Sequence, residues 1–202
     1  NNNEDFYYNI AAGVDALHLQ GITGKGVTVA VVDSGLWEHD ALVNDTTGRN
    51  RVLARYDALT DTLDSEVVDE SGHGTHMSSI IAHSGKTKHN GRPTGSYKGV
   101  APDANLVAVK VLDREGLAHV LEIVRAIQWV VDNREKYAIR ILNLSFAQTP
   151  RWPYWEDPVN QAVIKAWESG IAVVAAAGNE GPGVETIGSP GNIPDIITVG
   201  AV

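Results

Sequence analysis

Five short runs of apolar, largely β-branched residues, at 27–32, 106–111, 139–144, 171–177 and 196–199, dominate the hydrophobic pattern of this chain. They are near-continuous instead of alternating, and each therefore predicts a strand covered on both faces. Helical patterns lie between several of them. Val120, Ile123, Val124, Ile127, Val130 and Val131 recur at helical spacing, opposite Glu122, Arg125 and Asp132, and predict an amphipathic helix that closes near Lys136. Asp157 before Pro158 reads as an N-cap followed by proline at the first helical position. The stripe Ala162, Val163, Ala166 and Trp167 follows, and Gly170 is placed to end that helix. A further helix is expected to start at His73 and run through Met77, Ile80 and Ile81 to Ala82. Such alternation gives the class α/β, with three layers, a mostly parallel sheet flanked by helices, and right-handed crossovers.

Residues 57–71, 83–98 and 148–156 break these patterns and read as loops. The first carries Asp57, Asp61, Asp64, Glu66, Asp69 and Glu70 and is expected to be a solvated charged surface, because it lacks EF-hand spacing and its glycine. The second, rich in Gly, Lys and His, reads as mobile.

Composition narrows the classes. With 202 residues, 43% hydrophobic and 20% charged, the chain has the make-up of one ordinary globular domain. No apolar run approaches the ~20 residues of a membrane span. A net charge of -9 argues against nucleic acid, whose backbone is bound by clustered Lys and Arg. Zero cysteines remove disulfides, thiolate zinc sites and thiol catalysis. The opening Asn1-Asn2-Asn3-Glu4-Asp5 has no signal-peptide character and reads as a processed or trimmed terminus.

Three residues carry candidate chemistry. Asp33 ends a strand and precedes Ser34-Gly35, at the carboxyl edge where open α/β sheets place ligands. A buried carboxylate there requires a partner. His73, between Gly72 and Gly74, is expected at a helix start with an accessible imidazole, which suits a general base. Asn179 follows the strand 171–177 and Gly178, and its amide suits donation to a developing oxyanion. A metal reading through His73, His76 and His83 competes. It lacks the glutamate that a zinc hydrolase sets between its two histidines, so His76 is expected to be a packed or hydrogen-bonded helix residue. A dinucleotide fold is disfavoured, because Gly24-Lys25-Gly26 precedes its strand and no Gly-x-Gly-x-x-Gly opens a helix.

The blocks Val31-Val32-Asp33-Ser34-Gly35, Ser71-Gly72-His73-Gly74-Thr75-His76 and Ala177-Gly178-Asn179-Glu180-Gly181 resemble, in order and relative spacing, those of the subtilisin-like serine peptidases, the subtilase family. Gly99-Val100-Ala101-Pro102, Leu142-Asn143-Leu144-Ser145 and Ser189-Pro190-Gly191 extend the similarity from about residue 10 to the end. The resemblance implies that Asp33 orients His73, that His73 moves the nucleophile's proton, and that Asn179 donates to the tetrahedral oxyanion. It also implies an extended peptide or protein substrate held as an added strand between Gly116, Leu117, Ala118 on one side and Leu144, Ser145, Phe146, Ala147 on the other. The primary pocket would be walled by Ser145, Phe146, Ala147 and Ala176, Ala177, Gly178, with Gly188 at its base. Such walls favour an apolar or aromatic side chain, while Glu180 at the rim attracts a basic one. Ala147, Leu117 and Ala118 replace smaller residues of many relatives and narrow the subsites.

The resemblance further implies extracellular placement, although intracellular members exist, and leaves room for a propeptide. No cofactor is expected. Many relatives hold calcium through a carboxylate shortly after the catalytic Asp; here Glu38-His39-Asp40-Ala41-Leu42 is one residue shorter, Ala41 takes that place, and only Asp40 keeps a calcium site open. Relatives continue beyond the equivalent of Val202 to a Gly-Thr-Ser helix start that bears the nucleophile. Ser34, Ser145, Ser78 and Ser79 lack that setting, so residues 1–202 read as one catalytic domain incomplete at its C-terminus and inactive alone. The alternative is a pseudopeptidase or autoinhibitory fragment that keeps the cleft without the nucleophile.

Overall fold

The computed structural model describes residues 7–63 and 68–201. Helices α1 (Tyr7–Ala11) and α2 (Val14–Leu19) lead into β1 (Thr28–Asp33), a short α3 (Asp40–Val43), β2 (Val52–Asp57) and β3 (Thr62–Leu63). Next come α4 (His73–Ala82), the hairpin β4 (Lys86–His89) and β5 (Arg92–Tyr97), β6 (Asn105–Lys110), α5 (Val120–Asp132), β7 (Ile139–Leu144), α6 (Pro158–Glu168), β8 (Ala172–Ala176) and β9 (Ile197–Val199). The main sheet runs β3-β2-β6-β1-β7-β8-β9, parallel except for β3 against β2. This is the expected α/β arrangement.

Burial on both faces explains the continuous apolar runs of β1 and β6, whereas β8 alternates buried with half-buried residues and β9 leaves Ile197 and Val199 exposed, against the expectation of full cover. Along β1, Ala30 and Val32 face a core shared with Ile123, Ile127, Val130 of α5 and Val159, Val163, Ala166 of α6. Val29 and Val31 face a second core with Leu36, Leu42 and Ala82. Residues Val107 and Val109 of β6 join the first core, and Leu106 and Ala108 the second. With no polar face to interrupt it, the pattern loses its alternation.

Asp157 caps α6 as expected, its side chain accepting from the N–H groups of Val159 and Asn160, and Gly170 follows the helix in the left-handed region. Helix α5 stops at Asp132, short of Lys136. The stretch 83–98, expected to be a mobile loop, is mostly a two-stranded hairpin turning on Asn90 (φ 50) and Gly91 (φ 76). Two positive φ values in a two-residue loop give the turn whose twist matches antiparallel strands. Helices α1 and α2 are fastened to it: Asn9 Nδ2 donates to Tyr97 O and Lys98 O, and His18 Nδ1 accepts from Tyr97 N. Strand β2 was also absent from the apolar pattern, because its Arg55 is a buried cation. That guanidinium donates to Leu36 O at 2.9 Å and to Glu38 Oε1 at 2.5 Å. A second one, on the fully buried Arg51, donates to Ala82 O at 2.5 Å and to Asn44 O, joining the end of α4 to the end of α3.

Candidate active site

Parallel strands point their carboxyl ends the same way, and β1, β7 and β8 deliver Asp33, Leu144 with Ser145, and Ala176 to one edge of the sheet. Crevices for ligands form at such edges. Asp33 is wholly buried, and its Oδ1 accepts from Ser34 N at 2.8 Å and lies 2.7 Å from Nδ1 of His73. Because an ionised carboxylate only accepts, the imidazole donates from Nδ1, which leaves Nε2 able to take a proton. The His73 side chain is 42% exposed, so the pair has one buried and one accessible member.

The sequence secures this approach by placing glycine at 74. A Cβ there would lie 2.5 Å from Gly35 O and 3.1 Å from the Asp33 Cβ. Any larger residue would push the start of α4 away from the end of β1.

His73 lines a cleft of about 860 Å³ whose wall also includes Met77, Leu144, Ser145, Phe146, Ala147, Ala176, Gly178, Asn179 and Gly188. Asn179 thus opens onto the same space as the imidazole. Gly188 is tightly seated, since a Cβ on it would stand 2.8 Å from that of Ala147. Gly116, Leu117 and Ala118 do not border this cleft; they follow β6, with Leu117 exposed and Ala118 packed on the core. Ala177 is also set back, its N–H donating to Val199 O and its carbonyl accepting from Gly188 N.

Several polar residues behave differently from expectation. Asp69, assigned to a solvated acidic loop, is fully buried, whereas Asp64 and Glu66 lie outside the described residues. Burial pushes the Asp69 carboxyl up, but hydrogen bonds from Thr75, Ser34 and Gly72 outweigh it and hold the group below its ordinary value. Its buried contacts arise between residues up to 35 positions apart, which no local pattern reveals. Lys110, at the end of β6, is likewise buried and donates from Nζ to Ser34 O, Val68 O and Glu70 Oε2. The hydrogen bond and charge of Lys110 keep Glu70 below the ordinary carboxyl range.

His76 is exposed and not packed as expected. The His83 ring lies 6.1 Å from that of His39, and burial, with Lys98 and His39 adding, holds it below its ordinary value. Among the described residues no group of three or more His, Asp or Glu is arranged to hold a metal ion, and no helix is long and apolar enough to cross a membrane.

Known proteins resemble this chain over most of its length. The chain is 39% identical over 188 residues to the serine protease AprX of Bacillus subtilis (strain 168), an alignment covering 91% of this chain and 40% of that protein. Identity is 35% over 181 residues to the minor extracellular protease Epr of the same organism, covering 90% of this chain and 24% of Epr. The chain therefore spans less than half the length of these relatives. Among solved structures, Sphericase superposes with a TM-score of 0.72 at 30% identity, covering 90% of this chain and 58% of its own. A profile described as the subtilase family matches residues 24–202, and on that match the chain belongs to the subtilase family.

Proposed function

We propose that residues 1–202 form part of the catalytic domain of a serine endopeptidase, with Asp33 as the orienting acid, His73 as the general base and Asn179 as the oxyanion donor. The carrying observation is the 2.7 Å contact between buried Asp33 and accessible His73, opening on a cleft that Asn179 also lines. In this reading Asp33 fixes the imidazole tautomer and balances the imidazolium, while His73 Nε2 takes the nucleophile's proton and returns it to the leaving amine. The Asn179 amide offers two N–H donors that keep the same protonation throughout the reaction. Peptide lies extended along Leu144 to Ala147, and its side chain before the scissile bond enters the pocket between Ala147, Gly178 and Gly188.

The nucleophile is a serine outside residues 1–202 in this proposal, and the chain alone is then inactive. Nearby serines are otherwise engaged: Ser34 donates to Asp69, Ser78 is 1% exposed, Ser79 donates to His76 O, and Ser145 accepts from Asn143. A propeptide and extracellular placement belong to the same reading, the latter supported by the name of the Epr relative. No cofactor is required by this chemistry.

The test is covalent labelling of the full-length protein by a fluorophosphonate, together with hydrolysis of peptide substrates. Labelling and turnover that His73→Ala abolishes are expected. Peptide binding without labelling would instead establish a cleft that holds peptides and does not cut them.

A further inference from the structure

Asp69 sits four residues before His73 and is among the most completely satisfied side chains of the molecule. Its Oδ1 accepts from Ser34 Oγ at 2.7 Å and from Gly72 N at 2.7 Å; its Oδ2 accepts from Thr75 N at 2.8 Å and from Thr75 Oγ1 at 2.6 Å. Its main-chain oxygen accepts from the Trp37 indole. The carboxylate therefore joins the first turn of α4, which carries His73, to the residue that follows Asp33.

Ser34 has one hydroxyl hydrogen and two carboxylates within reach. Asp69 Oδ1 is at 2.7 Å and Asp33 Oδ1 at 3.3 Å. The shorter, better bond takes the hydrogen. A lone pair of the same hydroxyl accepts from Gly74 N at 2.8 Å, which fixes the rotor from the other side. Asp33 Oδ1 is the oxygen that receives His73 Nδ1. Donation by Ser34 to that oxygen would compete with the imidazole for the same negative charge.

We propose that Asp69 is a positioning residue for the Asp33–His73 pair, holding the Ser34 hydroxyl hydrogen away from Asp33 Oδ1 so that this oxygen is reserved for the imidazole. The proposal rests on the reading of that pair as acid and base. Without the Asp69 charge, the hydroxyl turns to Asp33 and the Asp33–His73 bond weakens. Ser34 is thus the movable part, and Asp69 sets its direction. Capping of α4 by the same carboxylate is a separate, structural contribution.

The two contributions separate in a double-mutant cycle read by the NMR resonance of the His73 Nδ1 proton in the full chain. Asp69→Asn is expected to move that resonance upfield. In the Ser34→Ala background the same substitution is expected to leave it in place, because no hydroxyl remains to turn. Equal upfield movement in both backgrounds, or none in Asp69→Asn, overturns the proposal. Should Asp69→Asn fail to fold, Ser34→Ala alone decides. An unmoved resonance means that the hydroxyl was not donating to Asp33, as proposed; downfield movement means that it was, and refutes the role of Asp69.

In the full-length protein, Asp69→Asn is expected to lower kcat about tenfold with KM little changed. Adding Ser34→Ala to it is expected to restore part of the loss, which removal of a mere cap would not permit. A double variant slower than Asp69→Asn refutes the mechanism. Absence of hydrolysis by the unsubstituted protein would reject the proposed function instead, and the resonance cycle would still decide the role of Asp69.

Discussion

Gly74→Ala puts the sharpest strain on the geometry described above. The glycine has no positive φ, so alanine meets no backbone objection; the obstacle is space. Its Cβ would lie 2.5 Å from Gly35 O, and an ordinary van der Waals contact begins at 3.4 Å, so α4 and the end of β1 must part by about 0.9 Å (3.4 − 2.5). The obstructing atom is main chain and cannot rotate aside. Overpacking against a fixed wall costs roughly 3 kcal/mol at the upper end of its usual range. Alanine recovers about 1 kcal/mol of helix propensity. The net loss of about 2 kcal/mol corresponds to a fall of roughly 4–8 °C in Tm for a chain of this size. The same displacement would stretch the 2.7 Å contact between His73 and Asp33 beyond hydrogen-bond length. Thermal unfolding followed by circular dichroism measures the first effect, and the Nδ1 proton resonance of His73 measures the second. Gly183→Ala is the control, since its Cβ would meet only Thr186 Cγ2 at 3.4 Å. An unchanged or raised Tm in Gly74→Ala would mean that propensity outweighs contact, and the steric account of this glycine would be wrong.

Other perturbations give equally definite outcomes. Asp69 and Asp103, the latter half-buried but accepting from Thr46 N and Thr46 Oγ1, both have carboxyls that hydrogen bonds hold below their ordinary value of 3.8 against the opposing effect of burial, so each binds fewer protons folded than unfolded. Their stabilisation is complete above that value and is lost as pH falls through the depressed ones; urea midpoints are expected to drop steeply below about pH 4 and less so in Asp69→Asn. Arg51→Met would leave the buried carbonyl of Ala82 and the half-buried one of Asn44 without their donor and is expected to lower stability by about 2–4 kcal/mol, read from urea unfolding. Arg51→Lys should recover only part of this, because an ammonium cannot reproduce the planar fork. In the full-length protein, Asn179→Ala is expected to lower kcat by ~10²- to 10³-fold with KM little changed, a magnitude carried over from the family's oxyanion asparagine and not worked from this geometry. A loss confined to KM would reject the oxyanion role.

The parts of the fold that were legible in the amino-acid pattern are those whose physics is local. Strands β1 and β6 announce themselves because both of their faces are covered, and α6 because Asp157, Pro158 and Gly170 each act on adjacent backbone. Strand β2 was hidden because Arg55 finds its partners, Leu36 O and Glu38, through tertiary contact. The hairpin was hidden differently: Lys86–His89 and Arg92–Tyr97 are mostly exposed and polar on both faces, so no alternation develops, yet Asn90-Gly91 was a usable signal. At the site, Asp33, His73 and Asn179 stand out through the turns beside them. The buried state of Asp69 and Lys110 depends on residues brought from 35 and 76 positions away, and composition had marked that acidic stretch as surface.

The division between a doubly covered strand and an exposed rim has a bearing on how such a cleft diversifies. Asp33 closes β1, whose every residue is buried, so the acid can be shifted only by disturbing both cores together. Glu180, Val184 and Glu185 occupy the exposed segment beyond Asn179, where replacements touch little else. On the proposed reading, preference among cleaved sequences can therefore wander through neutral variation while the Asp33–His73 pair stays anchored.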